Sequence, residues 1–326
     1  MNTKPLVSIV CLTFNEEEFV RDTFDNFLSQ QTSFPFEVLV YDDASQDATP
    51  QIIQEYVNKY PDIFKATLYT ENNFKKGLGF LGLRVGFQEA QGKYIAYCEG
   101  DDYWCDNLKL QKQVDFLESH PEYEVCAHET LIRNDFDEKE NGTLFSHTKV
   151  NLFLDRKQCQ HYTFEDTLTG NIFHISSLMF RNRIIEWPVW ITDIVALDMV
   201  LFMILAERGD IYRLSDIMSV YRHNKHSITS SQTQFGNQIT FNNLSLGLLV
   251  KMDDYWSHKY HKQISCVVAR YYMSNMFCYL SKSYRNYAMA KEMAKKAFLL
   301  NKYVFVKYFV IESIAKLKKH LNRVVK

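Results

Sequence analysis

Leu6-Val7-Ser8-Ile9-Val10-Cys11-Leu12-Thr13-Phe14, followed by Asn15-Glu16, is the stretch on which the fold turns. It is apolar and rich in β-branched residues without strict alternation, as expected of a strand covered on both faces in a parallel sheet. From Glu17 to Gln30 the period changes, with Phe19, Val20, Thr23, Phe24, Phe27 and Leu28 at helical spacing. The alternation continues with a strand over Phe36 to Tyr41, a helix over Thr49 to Tyr60 and a strand over Lys65 to Thr70. A glycine-weakened helix over Leu78 to Ala90, a strand over Tyr94 to Cys98 and a helix over Asn107 to Ser119 complete it. Strands and helices in this order predict an α/β fold, a mostly parallel sheet with helices on both faces. Ligands of such sheets bind beyond the carboxyl ends of the strands.

Three polar clusters stand at those ends: Thr13-Phe14-Asn15-Glu16, Asp42-Asp43-Ala44-Ser45-Gln46-Asp47 and Glu99-Gly100-Asp101-Asp102. The second also reads as helix capping, since Asp and Ser satisfy free N–H groups at a helix start. The third packs three carboxylates into four residues, where repulsion and burial raise their pKa values unless a cation sits among them. A solvated acidic loop is the other reading of that segment.

In combination these segments resemble family 2 glycosyltransferases of GT-A fold, from Leu6 to about Ser230. The resemblance implies that Thr13, Asn15, Glu16, Asp42, Asp43 and Asp101 bind the nucleotide of a UDP-sugar. It also implies that Asp101, with Glu99 and Asp102, ligates Mn²⁺ or Mg²⁺, His223 or His226 being further candidates. Trp104, Asn171 and His174 are the expected sugar or acceptor contacts. Leu197-Asp198-Met199 resembles the segment that carries the general base, with Asp193 as a rival carboxylate and an N-terminal helix cap as the alternative role for Asp198. Inverting transfer of a single sugar to a saccharide or lipid-linked saccharide is the implied reaction. The alternative reading is a non-catalytic nucleotide-sugar-binding scaffold with a membrane- or partner-binding basic tail. Dinucleotide chemistry is disfavoured, because no Gly-x-Gly-x-x-Gly follows the first strand.

The net charge of −2 over 326 residues hides an asymmetry. Residues 1–249 hold 21 basic and 35 acidic side chains, whereas residues 250–326 hold 16 basic and 4 acidic. The expected domains are 1–234, with a nucleotide-sugar half over 1–120 and an acceptor half over 121–234, and a basic helical region over 235–326. In that region helices are expected over Ile264 to Leu280, Tyr287 to Leu300 and Tyr303 to Val325. Its lysines alternate with Tyr, Phe, Val and Ile at helical spacing, which suits packing or peripheral contact of residues 302–326 with an anionic membrane rather than nucleic acid. Seven irregularly spaced cysteines fit reduced thiols. With no signal-like opening and no uninterrupted apolar stretch of spanning length, a cytoplasmic location is expected, extending to the inner face of the membrane.

Overall fold

The structure is a computed structural model that describes residues 4–78, 80–134, 143–145, 159–170, 172–193, 197–223, 238–281 and 283–311. The chain forms two compact units, Met1–Lys225 and His226–Lys326.

The first unit opens with β1 (Val7–Thr13), α1 (Val20–Leu28), β2 (Phe36–Asp42), α2 (Thr49–Lys59), β3 (Phe64–Leu68), α3 (Leu81–Glu89) and β4 (Tyr94–Glu99). The four strands are parallel, in the order β3-β2-β1-β4. Central β1 buries Val7, Ile9, Val10 and Cys11 completely, as its unbroken apolar run requires. Helix α1 turns Val20, Thr23, Phe24 and Phe27 inward. Phe24 meets Tyr56 and Phe64 edge-on, each at 5.1 Å between ring centroids. Burying such a ring contributes roughly 1.5–3 kcal/mol, so this cluster is a main anchor of the helices on the sheet. Helix α3 lies so close to the sheet that a Cβ on Gly82 would fall 2.7 Å from Tyr41 Cβ, and one on Gly86 2.6 Å from Val10 Cγ1. Its glycines therefore trade helix propensity for close approach.

Beyond β5 (Tyr103–Trp104) and α4 (Lys109–Ser119) come β6 (Tyr123–Asn134), β7 (Thr143–Phe145), β8 (His161–Tyr162), α5 (Phe164–Thr167), β9 (Met179–Arg181), α6 (Leu197–Arg208) and β10 (Asp210–His223). These extend the same sheet as β4-β9-β6-β10-β5. Short β9 runs antiparallel to both β4 and β6, whereas β10 pairs parallel with β6. Just before β9, Ile175–Ser177 forms a 3-10 turn, and only Met179–Arg181 is strand.

In the second unit α7 (Gln238–Tyr255), α8 (His261–Leu280) and α9 (Tyr287–Leu300) precede a helix over 302–311. A buried amide network, with Asn242 Nδ2 donating to Ser274 Oγ at 2.9 Å and Asn275 Oδ1 at 2.7 Å, joins α7 to α8. Asn286 and Asn301 cap the last two helices, accepting from Met289 N at 3.1 Å and Val304 N at 3.0 Å. Among the described residues no helix is long and apolar enough to cross a membrane.

Candidate active site

Parallel register sets the site. Thr13 stands opposite Asp42, and Leu12 opposite Glu99, so the residues following β1, β2 and β4 emerge side by side. Thr13 Oγ1 donates to Asp42 Oδ1 at 2.9 Å, and Ser45 donates to both Asp42 oxygens, from Oγ at 2.5 Å and from N at 2.9 Å. Burial nonetheless holds the Asp42 carboxyl above its usual range. Asn15 donates its backbone N–H to Ser45 Oγ and accepts from Gln46 N through Oδ1, tying the first loop to the second. Ala44 sits at φ 63° between these contacts, a left-handed conformation that favours glycine. Asp43 faces another way, accepting from Asn73 N and Nδ2 at 2.8 Å and from Phe74 N at 3.1 Å. Its carboxylate is thus engaged in holding the 72–74 turn.

Glu99, Asp101 and Asp102 each bring a carboxylate oxygen within 4.8 Å of the others. Burial, with Asp101 and then Asp198 as charged neighbours, pushes Glu99 up to about 8. Asp102 is fully buried and likewise raised, by burial first and then by Asp101 and Glu99. Its Oδ1 accepts from Arg222 N at 3.0 Å, while Oδ2 is shielded from solvent and has no hydrogen-bond partner among the described residues. Glu16 joins the cluster from β1's end, with its carboxylate against Gly100, where any Cβ would collide with Oε2. Burial, Asp101 and Glu99 raise its pKa, and its Oε2 is also buried and unpartnered among the described residues. Two orphaned buried carboxylate oxygens and several carboxyls raised together are what a divalent cation would relieve, so these residues fit one.

The cluster is held from beneath. Thr23 Oγ1, on α1, is placed within 2.8 Å of the Gly100 carbonyl and 2.6 Å of the Asp102 carbonyl. Arg222, on β10, donates through Nη1 to the Asp101 carbonyl at 3.0 Å, pairs with Asp22, and lies over the Tyr103 ring at 4.3 Å. His174 stacks on Tyr221 with centroids 4.4 Å apart and meets Ser176 Oγ at 2.7 Å through Nδ1. Burial pushes its pKa down to about 3. His174 is therefore neutral, and its 3.6 Å approach to Asp102 Oδ2 is neither an ion pair nor a hydrogen bond.

Asp198 begins α6 and accepts from Met199 N at 2.9 Å. Its charge contributes to raising Glu99 although 99 residues separate the two in sequence. Trp104 is placed beneath the acidic loop. Its ring is 1% exposed, packs on Phe27 at 4.8 Å and donates Nε1–H to the Ser176 carbonyl at 3.1 Å, so it supports the acidic loop as core. Asn171 and His226, and the side chains of Asp193 and His223, lie outside the described residues. Sequence reading missed Arg222 and Thr23 as supports of the acidic loop. The Tyr221-Arg222 pair was visible, but its target 120 residues earlier was not.

A mostly parallel sheet extended by an antiparallel insertion, with acidic groups gathered at its carboxyl edge, is the architecture of GT-A nucleotide-sugar transferases. The chain belongs to glycosyl transferase family 2, which it matches over residues 8–186. It is 35% identical over 229 residues to an uncharacterised protein of Mycobacterium tuberculosis, a match covering 69% of this chain and 61% of that protein. It is also 35% identical over 115 residues to the Escherichia coli UDP-Glc:α-D-GlcNAc-diphosphoundecaprenol β-1,3-glucosyltransferase WfaP, covering 35% of this chain and 42% of WfaP. The chain thus spans less than two thirds of the length of each of these relatives, 61% and 42%. In fold it is similar to Staphylococcus aureus TarS 1-349 in complex with UDP-GlcNAc, with a TM-score of 0.59 and 16% identity over 91% of this chain and 82% of that one. The Pyrobaculum calidifontis mannosyltransferase PcManGT in complex with GDP-Man and Mn²⁺ gives a TM-score of 0.53 at 16% identity, covering 91% and 87%.

Proposed function

We propose that this chain is an inverting, divalent-cation-dependent glycosyltransferase that moves one sugar from a UDP-sugar to a saccharide or lipid-linked saccharide acceptor. The observation that carries the proposal is the gathering of Glu16, Glu99, Asp101 and Asp102, with orphaned oxygens on two of them, next to the Thr13–Asp42 pair. The TarS complex holds UDP-GlcNAc, PcManGT holds GDP-Man and Mn²⁺, and WfaP is named for transfer from UDP-Glc, all consistent with a nucleotide-sugar donor.

Thr13, Asn15 and Asp42 receive the base and ribose, with Asp43 ordering the adjoining turn. Asp101, supported by Glu99 and Asp102, would hold Mn²⁺ or Mg²⁺, which supplies positive charge to the diphosphate. Asp198 accepts the acceptor's hydroxyl proton as that oxygen attacks the anomeric carbon, and the bond to the diphosphate breaks with its electron pair leaving on the diphosphate oxygen. His174, neutral and stacked on Tyr221, borders the sugar.

Asp101→Ala is expected to abolish turnover and cation-dependent UDP binding together, read by product formation and by calorimetric titration with and without Mn²⁺. Cation-dependent binding of wild-type strength in that variant would refute the assignment.

The helix over 302–311 buries Val304 and Tyr308 but leaves Tyr303 73%, Val306 55% and Phe309 48% exposed beside Lys302 and Lys307. This amphipathic arrangement supports peripheral contact with an anionic membrane. Vesicles containing anionic lipid should sediment the wild-type chain and lose Val306→Asp; equal sedimentation would refute the contact.

A further inference from the structure

Helix α7 ends in a turn that places two consecutive non-glycine residues in the left-handed region, Ser257 at φ 49° and His258 at φ 64°. Each such residue costs roughly 1–2 kcal/mol, so the turn needs contacts to hold it. One is the His258 N–H returned to the Asp253 carbonyl at 2.9 Å. The others converge on the Asp253 side chain, whose Oδ2 lies 2.9 Å from His258 Nδ1 and 2.7 Å from His261 Nδ1.

We propose that Asp253, His258 and His261 form a second divalent-metal site, of late transition-metal type, that staples α7 to α8. Three observations support it. The three donor atoms all lie within 4.8 Å of one another. At bond lengths of about 2.0–2.2 Å, ligands stand about 2.9–3.0 Å apart at right angles and about 3.3–3.5 Å apart in a tetrahedron, so side-chain shifts of about half an ångström turn the observed 2.9 and 2.7 Å hydrogen bonds into ligand spacings. Asp253 itself is only 7% exposed, and its Oδ1 is shielded from solvent with no hydrogen-bond partner among the described residues. A buried, half-satisfied carboxylate is stabilised by a cation more than by hydrogen bonds to one oxygen alone.

Both imidazoles are mostly exposed, at 62% and 60% of their side chains, so entry is open and remaining coordination positions face water. Two imidazoles with one carboxylate favour Zn²⁺, Co²⁺, Ni²⁺ or Cu²⁺ over Mg²⁺, in contrast to the all-oxygen cluster at Glu99, Asp101 and Asp102. Binding shifts each neutral ring to the Nε2–H tautomer, freeing Nδ1 as ligand, and releases a proton from any ring that is charged.

The test uses the full chain carrying Asp101→Ala, which weakens the acidic cluster, in equilibrium dialysis against Zn²⁺ at pH 7.5. One Zn²⁺ per chain is expected, with a rise in Tm. Adding His258→Ala and His261→Ala should weaken binding at least tenfold and remove the rise. His258→Asn with His261→Asn keeps an N–H donor at the Nδ1 position for Asp253 while removing the ligands, and should lose zinc in the same way. Co²⁺ absorption in the visible range should appear in the parent and vanish in both double variants. Zinc occupancy unchanged without the imidazoles, retained by the asparagine pair, or absent from the parent would overturn the proposal.

Discussion

Arg222 closes over Asp102, its backbone N–H 3.0 Å from Oδ1 and its guanidinium 3.0 Å from the Asp101 carbonyl. The side chain is 5% exposed and also pairs with Asp22. One residue of β10 thus fixes the loop after β4. Arg222→Ala should keep the backbone bond but release Asp101, lowering kcat/KM for sugar transfer by about 10²-fold, the scale of a misplacement of about 1 Å. Arg222→Lys should recover only part, since one ammonium lacks the planar fork that spans two acceptors. Wild-type kinetics from a folded Arg222→Ala chain would remove it from the site.

Asp198→Asn tests the proton acceptor by itself. The amide can still take the Met199 N–H through its oxygen, so α6 should keep its start. UDP binding by calorimetry should be unchanged while transfer falls by about 10²- to 10⁴-fold. Equal loss of binding and transfer would reassign Asp198 to the nucleotide.

Glu99 makes stability depend on pH in a defined direction. Below its ordinary value of 4.5 it is protonated whether folded or not; from there to about 8 only the folded chain keeps the proton. This group's contribution therefore falls as pH rises through that window, and Asp102 and Glu16 act in the same sense. Melting followed from pH 5 to 8 in EDTA should show the decline. Mn²⁺, which favours the ionised carboxylates, should raise Tm more at pH 8 than at pH 5, and a pH-independent increment would contradict the reading.

Lys109 titrates in the opposite sense. Buried beneath Trp104, with Nζ 4.0 Å from the ring centroid and 2.7 Å from Gln113 Oε1, it is pushed down to about 7 by burial. Between about 7 and its ordinary 10.5 only the unfolded chain holds the extra proton, so its contribution rises with pH there and stays low below. The Tm difference of Lys109→Met from wild type should accordingly be most favourable to the variant at pH 6 and shrink towards pH 10. A constant difference would place the lysine in contact with water.

Much of this was readable from residue order. β1, β2 and β4 announce themselves because strands buried on both faces need unbroken apolar runs, and the acidic clusters fall at their ends for the same reason. Strand β10 did not, since Arg213, Asp216 and an Ile217 that is 41% exposed interrupt its pattern and its partner β6 lies some 90 residues earlier. The packing of Trp104 is not signalled beside Asp102, because the Phe27 it meets lies far earlier in the chain, on α1. The meeting of Asp253, His258 and His261 depends on two left-handed residues that are not glycine, a conformation no local pattern signals.

The bond from Arg222 to Asp102 closes a loop of 120 residues. During synthesis the sheet from β1 to β4 can assemble as it leaves the ribosome, yet its acidic loop is not clamped until β10 follows. At roughly 5–20 residues per second that interval is about 6 to 24 s. A nascent chain is therefore expected to pass through a period in which β1, β2 and β4 are paired while the loop from Glu99 to Asp102 is still unclamped, so that the candidate site is completed as a late event of translation.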